Sequence, residues 1–486
     1  MKKIIVLACF LSFGYISAQK RNITLEEAIT IAQKQSPDYK RLLNSNQRSY
    51  WRYRNYEAGF LPQLRFDGTV PQYFNSTRRI TDDTGQDIFV RSNQASYEGT
   101  LSLNQNLALT GGTFSLATTL ERVDVFGDNV STGYSVVPFS IRYNQNSLFF
   151  NEFKWDRKIE PLIYEESKRE FVESMEDISL NTSSRYFALL KAQMQNKISE
   201  KNLSNQDTLF QIAKGRFEMG KIAENDLLQM ELALLNSRNS LITNEIQLKS
   251  ASQNLARYLE LDTENLELNV PKDLTSFNVT IEKALEEAKS NRKEVLEFRR
   301  RRLEAEKRVA EEKGSNRLQL SLNANFGISQ QGDVFNNLFQ DYNQQQSFSV
   351  RIGIPLIDWG VSKSRRKLVE ADLDLVNNNI DQEKEAFDQE ILLHTLNWQN
   401  QRNFLETAKK AQEIATKRYD ITKKRFVLGK ITITDLNLAL EEQDRSVLTY
   451  LNSLEQFWVD YYTLRKLTLY DFQTNKKIVA EGILYD

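Results

Sequence analysis

Two stretches of the chain carry the same reactive and turn-forming residues: "RFEMGKIAENDLL" from Arg216 to Leu228 and "RFVLGKITITDLN" from Arg425 to Asn437. Both read R-F-x-x-G-K-I-x-x-x-D-L, 209 residues apart, with no gap inside either copy. The chemistry they offer is that of a charged bend between helices. Gly220 and Gly429 can take the positive φ that ends a helix. The polar runs behind them, Glu224-Asn225-Asp226 and Thr432-Ile433-Thr434-Asp435, offer capping side chains to a returning helix, and an acid near its N-terminus suits the helix dipole. On this reading Asp226 and Asp435 are candidates for a charged site and equally for simple caps. Covalent chemistry has little to work with elsewhere. The sequence holds one histidine, His394, in a polar helical stretch, and one cysteine, Cys9, with no G-x-S-x-G, no phosphate-binding glycine loop and no metal-ligand spacing. Carboxylates are plentiful but scattered over solvated helix faces. No catalytic, cofactor-binding or metal-binding residue is assigned, and no enzymatic activity is expected.

Bends of this kind need long helices on either side. From Val361 to Leu428 there is neither Gly nor Pro, and these 68 residues make a rod of about 100 Å if unbroken. Leu162–Lys214 and Lys221–Val270 are likewise free of both. Leu436, Leu440, Val447, Leu451, Leu454 and Trp458 recur at three- and four-residue steps, as packed helices require. The repeat extends beyond the bends. "TLEEAITIAQ" at Thr24 matches "TIEKALEEAK" at Thr280, an offset of 256 that still holds at Gln63-Leu64 against Gln319-Leu320. "FSIRYN" at Phe139 matches "FSVRIG" at Phe348 with the offset of 209. The chain is a tandem duplication, 19–270 and 271–486, each copy reading helix, strands, very long helix, turn, long helix. The offsets differ by 47, which places an insertion of that length in the first copy between Leu64 and Phe139. Within it, "YEGTLSLNQNL" at Tyr97 and "GTFSLATTL" at Gly112 alternate like strands around the turn signal Leu109-Thr110-Gly111-Gly112, so an added β-hairpin is expected in the region of about 65–138.

The first eighteen residues, "MKKIIVLACFLSFGYISA", have the charged start, apolar run and small-residue end of a secretory signal peptide. Cys9 could instead be lipidated, but only Ile4–Ala8 separate it from Lys3, short for the apolar region of a leader. Removal of residues 1–18 leaves no cysteine and shifts the net charge from −1 to −3. With 64 basic against 65 acidic residues, no nucleic-acid footprint is present. No later stretch offers the 18 or more apolar residues of a spanning helix, so entry into a membrane has to be by a β-barrel. In "LQLSLNANFGI", Leu318, Leu320, Leu322, Ala324, Phe326 and Ile328 alternate without a miss against polar residues or Gly, the pattern of a transmembrane strand, although a half-buried soluble strand shares it. Strands of the second copy are expected at about 317–355.

Taken together, the duplicated R-[FY]-x-x-G-x-x-x-x-x-D-[LV] hairpin, the "TLEEA" opening, "LPQL" at Leu61 and the order of strands and long helices resemble the TolC family of outer-membrane efflux proteins over nearly the whole mature chain. The resemblance implies an α+β membrane protein. Its protomers form a homotrimer, giving strands to one shared transmembrane β-barrel and long coiled-coil helices to a periplasmic α-helical tunnel. It implies a channel in the outer membrane of a Gram-negative envelope, passing substrates from an inner-membrane pump through a periplasmic adaptor (membrane fusion protein), with outer-membrane lipid around the barrel and no cofactor. Four strands per protomer are the family's pattern. Adaptor grooves would be framed at the tips near 216–226 and 425–435 by Arg216, Phe217, Gly220, Lys221 and Ile222 in one copy, and by Arg425, Phe426, Gly429, Lys430 and Ile431 in the other. Asp435 falls where the family has an acidic ring at the constriction, and Asp226 where a second acid holds the bend. The chain departs from the family at Leu438, in place of a second ring acid, at Phe426, in place of a tyrosine, and at Ile431, in place of an arginine that locks the closed form. A phenyl ring cannot donate the hydrogen bond of a phenol, so the closed state must rest on other contacts. The alternative is an exported structural coiled coil or surface protein without channel activity, which accounts for the helices but not the strands. The transported substrate stays open among drugs, metal ions, lipids and polypeptides.

Overall fold

The computed structural model describes residues 21–479 apart from 82, 128–129, 263–264, 273–276 and 317; the expected signal peptide lies outside them. In chain order the elements of the first half are strand β1 (Arg21–Ile23), helices α1 (Leu25–Gln35) and α2 (Pro37–Ala58), strands β2 (Gln63–Thr81), β3 (Asp87–Leu107), β4 (Gly112–Val125) and β5 (Ser131–Gln145), and helices α3 (Glu152–Glu218) and α4 (Glu224–Tyr258). Then come β6 (Leu266–Leu268), α5 (Ile281–Asn291), α6 (Lys293–Ser315), β7 (Gln319–Gly332), β8 (Asn343–Gly353), α7 (Val361–Val427), α8 (Ile433–Thr468) and the short β9 (Tyr470–Asp471) and β10 (Lys476–Lys477). The architecture is α+β. α3 and α7, each 67 residues, occupy corresponding places in the two halves. α3 starts ten residues earlier than the stretch free of Pro suggests and runs through Pro161. Its first turn is capped by Asn151, whose side chain accepts from the Lys154 amide at 3.0 Å.

Six strands form one antiparallel sheet in the order β2-β3-β4-β5-β7-β8. The inserted hairpin is the pair β3–β4, and it lies inside the sheet, between β2 and β5. Pro71 and Pro138 both sit where the register slips, the positions at which a strand tolerates a residue without an amide donor. Beyond Asn75 and Asn93 the β2–β3 pair outruns β4 and continues as a two-stranded ribbon. Among the described residues the edge strands β2 and β8 have no partner on their outer sides, and both are exposed along nearly their whole length.

The main core lies at mid-length of the long helices, where Tyr186, Phe187, Leu189, Leu255, Ile391, Trp398, Phe457 and Trp458 pack with α1 and α5. Thr24 and Glu27 close a capping box at the start of α1, each side chain receiving the other's amide, which is what the "TLEEA" stretch encodes. The same core holds β1 parallel to β6: the Tyr186 hydroxyl donates to the Ile23 and Asn269 carbonyls, and Gln193 brackets β6 by donating to the Leu266 carbonyl and accepting from the Leu268 amide. In the last helix Leu436, Leu451, Leu454 and Trp458 are buried, while Leu440 and Val447 are half-buried.

Candidate functional site

The far ends of the helical pairs α3–α4 and α7–α8 form two bends that lie side by side. Each bend closes in the same way. Gly220 (φ 67°) donates to the Phe217 carbonyl and Lys221 to that of Arg216; Gly429 (φ 69°) donates to the Phe426 carbonyl and Lys430 to that of Arg425. This paired bonding is a Schellman ending, and the positive φ is why glycine occupies both positions. The two returning helices start differently. Thr432 caps α8 in a reciprocal box: its hydroxyl accepts from the Asp435 amide at 3.2 Å and donates to the carboxylate at 2.7 Å, and the carboxylate also accepts from the Thr432 amide. The Thr432 hydroxyl and amide, with Arg425 nearby, hold the Asp435 carboxyl below the usual aspartate range. α4 has Ala223 at the equivalent cap position and no side-chain cap bond, so the expectation of capping side chains at both bends holds only for the second. Alanine has nothing to offer where threonine has a hydroxyl, and Asp226, half-buried, does not complete a box.

Between the bends is a small apolar cluster. Leu209, Ala213, Met230, Tyr419, Phe426, Leu436 and Ala439 are buried in it, with Ile222, Leu227, Ile431 and Ile433 packed at its edge. Arg216 closes it from the first bend. Its guanidinium stands 5.5 Å over the Phe426 ring and donates to the Val427 carbonyl at 3.1 Å, and more weakly to that of Phe426 at 3.5 Å. A cation at the carbonyl end of α7 is also favoured by the helix dipole. The repeat breaks here. Phe426 is 3% exposed under Arg216, whereas its counterpart Phe217 is 38% exposed and Arg425, the counterpart of Arg216, faces solvent.

Of the residues singled out in the sequence, the structure gathers Arg216, Ile222, Phe426 and Ile431 around this cluster and leaves Phe217, Lys221, Arg425, Lys430, Asp435 and Leu438 exposed on the tips. Sequence reasoning missed Tyr419, Met230 and Leu209, which form most of the cluster floor. Their signal was the helical spacing of Tyr419 and Phe426, seven residues apart on α7. Among the described residues no group of three His, Cys, Asp or Glu could hold a metal ion, and no helix is long and apolar enough to cross a membrane.

At the opposite end, the sheet has two chemically different faces. The pairing register aligns Leu64, Leu103, Leu116, Ile141 and Phe326 in one row across five strands. The facing side carries Arg65, Glu98, Asn104, Ser115, Glu121, Arg142 and Asn325. Alternation of this kind suits a wall with lipid on one side and water on the other.

Comparison with curated proteins finds no match. Among solved structures, the chain is similar to the Campylobacter jejuni CmeC outer membrane channel, with 13% identity, TM-score 0.66 and coverage of 94% of this chain and 87% of that one. A membrane protein from Pseudomonas aeruginosa aligns with 14% identity, TM-score 0.65 and coverage of 91% and 90%. The outer membrane protein VceC from Vibrio cholerae aligns with 14% identity, TM-score 0.62 and coverage of 92% and 96%. These likenesses establish the fold. The family model for outer membrane efflux proteins matches residues 148–260 and 284–468, more than half of the sequence. With that match over both long hairpins, the chain belongs to the outer membrane efflux protein family, channels of the Gram-negative outer membrane rather than enzymes.

Proposed function

We propose that three copies of this chain close into one channel-tunnel, a β-barrel in the outer membrane continued by a helical tunnel in the periplasm, which passes solutes delivered by an inner-membrane pump and a periplasmic adaptor. The observation that carries this reading is the sheet: two-faced, joined at one end to helices about 100 Å long, and open at both edges. Open edges cannot persist in lipid, because every backbone amide and carbonyl there needs a partner. Pairing β2 of each copy with β8 of the next removes all edges at once. The sheet also speaks against a coiled-coil surface protein, which has no use for an apolar strand face.

In this reading the two bends face the adaptor, with exposed Phe217, Lys221, Arg425, Gly429 and Lys430 and the adjoining Arg216, Gly220 and Ile222 framing its grooves. Asp435, with Asp226 in support, sits at the closing end, and closure rests on packing around Phe426, Ile431 and Leu438. Three copies of Asp435 about a threefold axis repel one another and attract cations. The test is single-channel conductance of the purified trimer in planar bilayers, with and without a divalent cation on the tunnel side. Cation preference and block should be present in the wild type and reduced in Asp435→Asn, a substitution that can still accept the cap hydrogen bond while removing the charge. Unchanged preference and block would leave Asp435 as a cap alone; absence of any conductance would remove the channel reading itself.

A further inference from the structure

The inserted hairpin bears on the width of the membrane pore. In the second repeat β7 pairs directly with β8, and by the repeat β2 and β5 are their counterparts. In the first repeat those two strands are not neighbours: β3 and β4 stand between them, paired along their length on both sides. The hairpin is also in phase with its neighbours. Leu103 and Leu116 continue the apolar row from Leu64 to Ile141, and Leu101 lies beside Phe66. On the other face Ser115 donates to Asn104 at 2.7 Å, and the Thr100 and Thr119 hydroxyls meet at 2.9 Å. Glu98 stands directly opposite Glu121 on that face, an arrangement that needs water and could not face lipid.

The periplasmic turn of the hairpin is built into the junction between sheet and helices. Gln105 donates to the Phe60 carbonyl at 2.7 Å and Asn106 to that of Gly59 at 2.9 Å, at the end of α2. Asn151, the cap of α3, donates to the Ala108 and Leu109 carbonyls at 3.0 and 3.2 Å, and Gln145 to that of Thr110 at 2.7 Å. Gly111 (φ 83°) lies so close to Asn151 that a Cβ there would come within 2.9 Å of its side chain. The turn is therefore held from both flanking helix ends, and the hairpin has no hinge about which to swing out of the wall.

We infer that the closed barrel has eighteen strands, six from each of three copies, and that its lumen admits hydrophilic solutes about 20 Å across, larger than a wall of four strands per copy would pass. The inference rests on the trimeric reading above. Strands about 4.8 Å apart and tilted by about 40° each take about 6.3 Å of circumference. Eighteen give a ring about 36 Å across between backbones, against about 24 Å for twelve. With side chains of about 5 Å projecting inward all round, about 26 Å of free width is left, against about 14 Å. Size selection then falls to the tunnel's inner end and to the pump, and the outer-membrane segment acts as a wide polar exit.

Cysteine labelling of the full-length protein in outer-membrane vesicles tests this, since the only cysteine, Cys9, lies in the expected leader. Ser115→Cys and Leu116→Cys report the two faces of β4; Asn323→Cys and Leu322→Cys report those of β7. With a small water-soluble maleimide, Ser115→Cys and Asn323→Cys should label and their neighbours should be slower by an order of magnitude or more. A maleimide carried on a neutral polymer about 20 Å across, added from the outer side, should still reach Ser115→Cys and Asn323→Cys. Labelling of both faces of β4 while β7 alternates would put the hairpin outside the wall and overturn the inference with the channel reading intact. Exclusion of the bulky reagent from Asn323→Cys, with the small one still reacting, would overturn it as well. Loss of alternation on β7 would instead sink the trimeric barrel on which the inference stands.

Discussion

Replacing Arg216 by alanine should loosen the two bends from each other while leaving the helices formed. The side chain contributes a charged hydrogen bond to the Val427 carbonyl, a position over the Phe426 ring and a cation at the end of α7. The ring contact is worth about 0.5–1 kcal/mol at a partly exposed site and the dipole contribution about 0.3–1 kcal/mol. The hydrogen bond, half open to water, adds about 0.5–1 kcal/mol, offset by the cost of ordering a long side chain. A net loss of about 1–2 kcal/mol is expected, equivalent to a factor of about 5–30 in the population of the separated bends. Hydrogen exchange of the amides around Phe426–Leu438 reads this directly, since small local openings set their protection. By the repeat, Arg425 and Phe217 correspond to Arg216 and Phe426, and in the proposed ring of three they would meet across neighbouring copies. Arg425→Ala should therefore lower protection by a similar factor in the trimer, while in a dissociated protomer only the small effect of removing a positive charge near Asp435 should remain. Unchanged exchange in Arg216→Ala would show that the apolar cluster alone holds the bends, and the reasoning from the arginine would fall.

Further outcomes can be stated briefly. Leu116→Arg places a charge in the apolar row and should cost about 2–4 kcal/mol near the bilayer midplane, seen as loss of the heat-modifiable oligomer on gels, whereas Ser115→Arg on the water face should be tolerated. Gly429→Ala brings the new methyl into no more than ordinary contact, 3.9 Å from the Arg216 guanidinium, but forces alanine to φ 69°, a loss of about 1–2 kcal/mol that tip hydrogen exchange should register. Asp444 is half-buried, Asn202 donates to it at 2.6 Å, and desolvation raises its pKa. The folded state therefore binds a proton more readily than the unfolded chain, so this residue destabilises the fold above its folded pKa and the penalty disappears as the pH falls towards the ordinary aspartate value. Asp444→Asn should raise the melting temperature at neutral pH and leave it unchanged near pH 3.8; an equal gain at both would refute the assignment to charge burial.

Much of the fold could be read from periodicity, because the long helices and the two-faced strands each bury a simple stripe. The unbroken run from Val361, the alternation from Leu318 and the pair of strands around Gly111 correspond to α7, β7 and the β3–β4 hairpin. What stayed illegible depends on contacts between distant residues. Whether the hairpin joins the wall is decided by pairing along β2 on one side and β5 on the other, and by Asn151 and Gln145 reaching its turn. Pro161 reads as a helix stop, yet packing of α3 against its neighbours carries the helix through it. At the bends, the motif marks Gly220, Gly429 and the two aspartates, but nothing local tells that Ala223 leaves Asp226 without a capping partner, or that Arg216 turns across to the second bend while Arg425 faces solvent.

The unpaired edges β2 and β8 also have a consequence for inheritance. The proposed ring of three would have three seams, with each copy taking part in two of them. A substitution that spoils one edge, such as a proline in the middle of β8, opens a seam wherever that copy is built in, however sound the other two are. If half of the chains in a cell carried it and mixing were random, only about one ring in eight would be free of it. Such an allele should behave as dominant over the normal copy, whereas a deletion of the whole chain should be recessive.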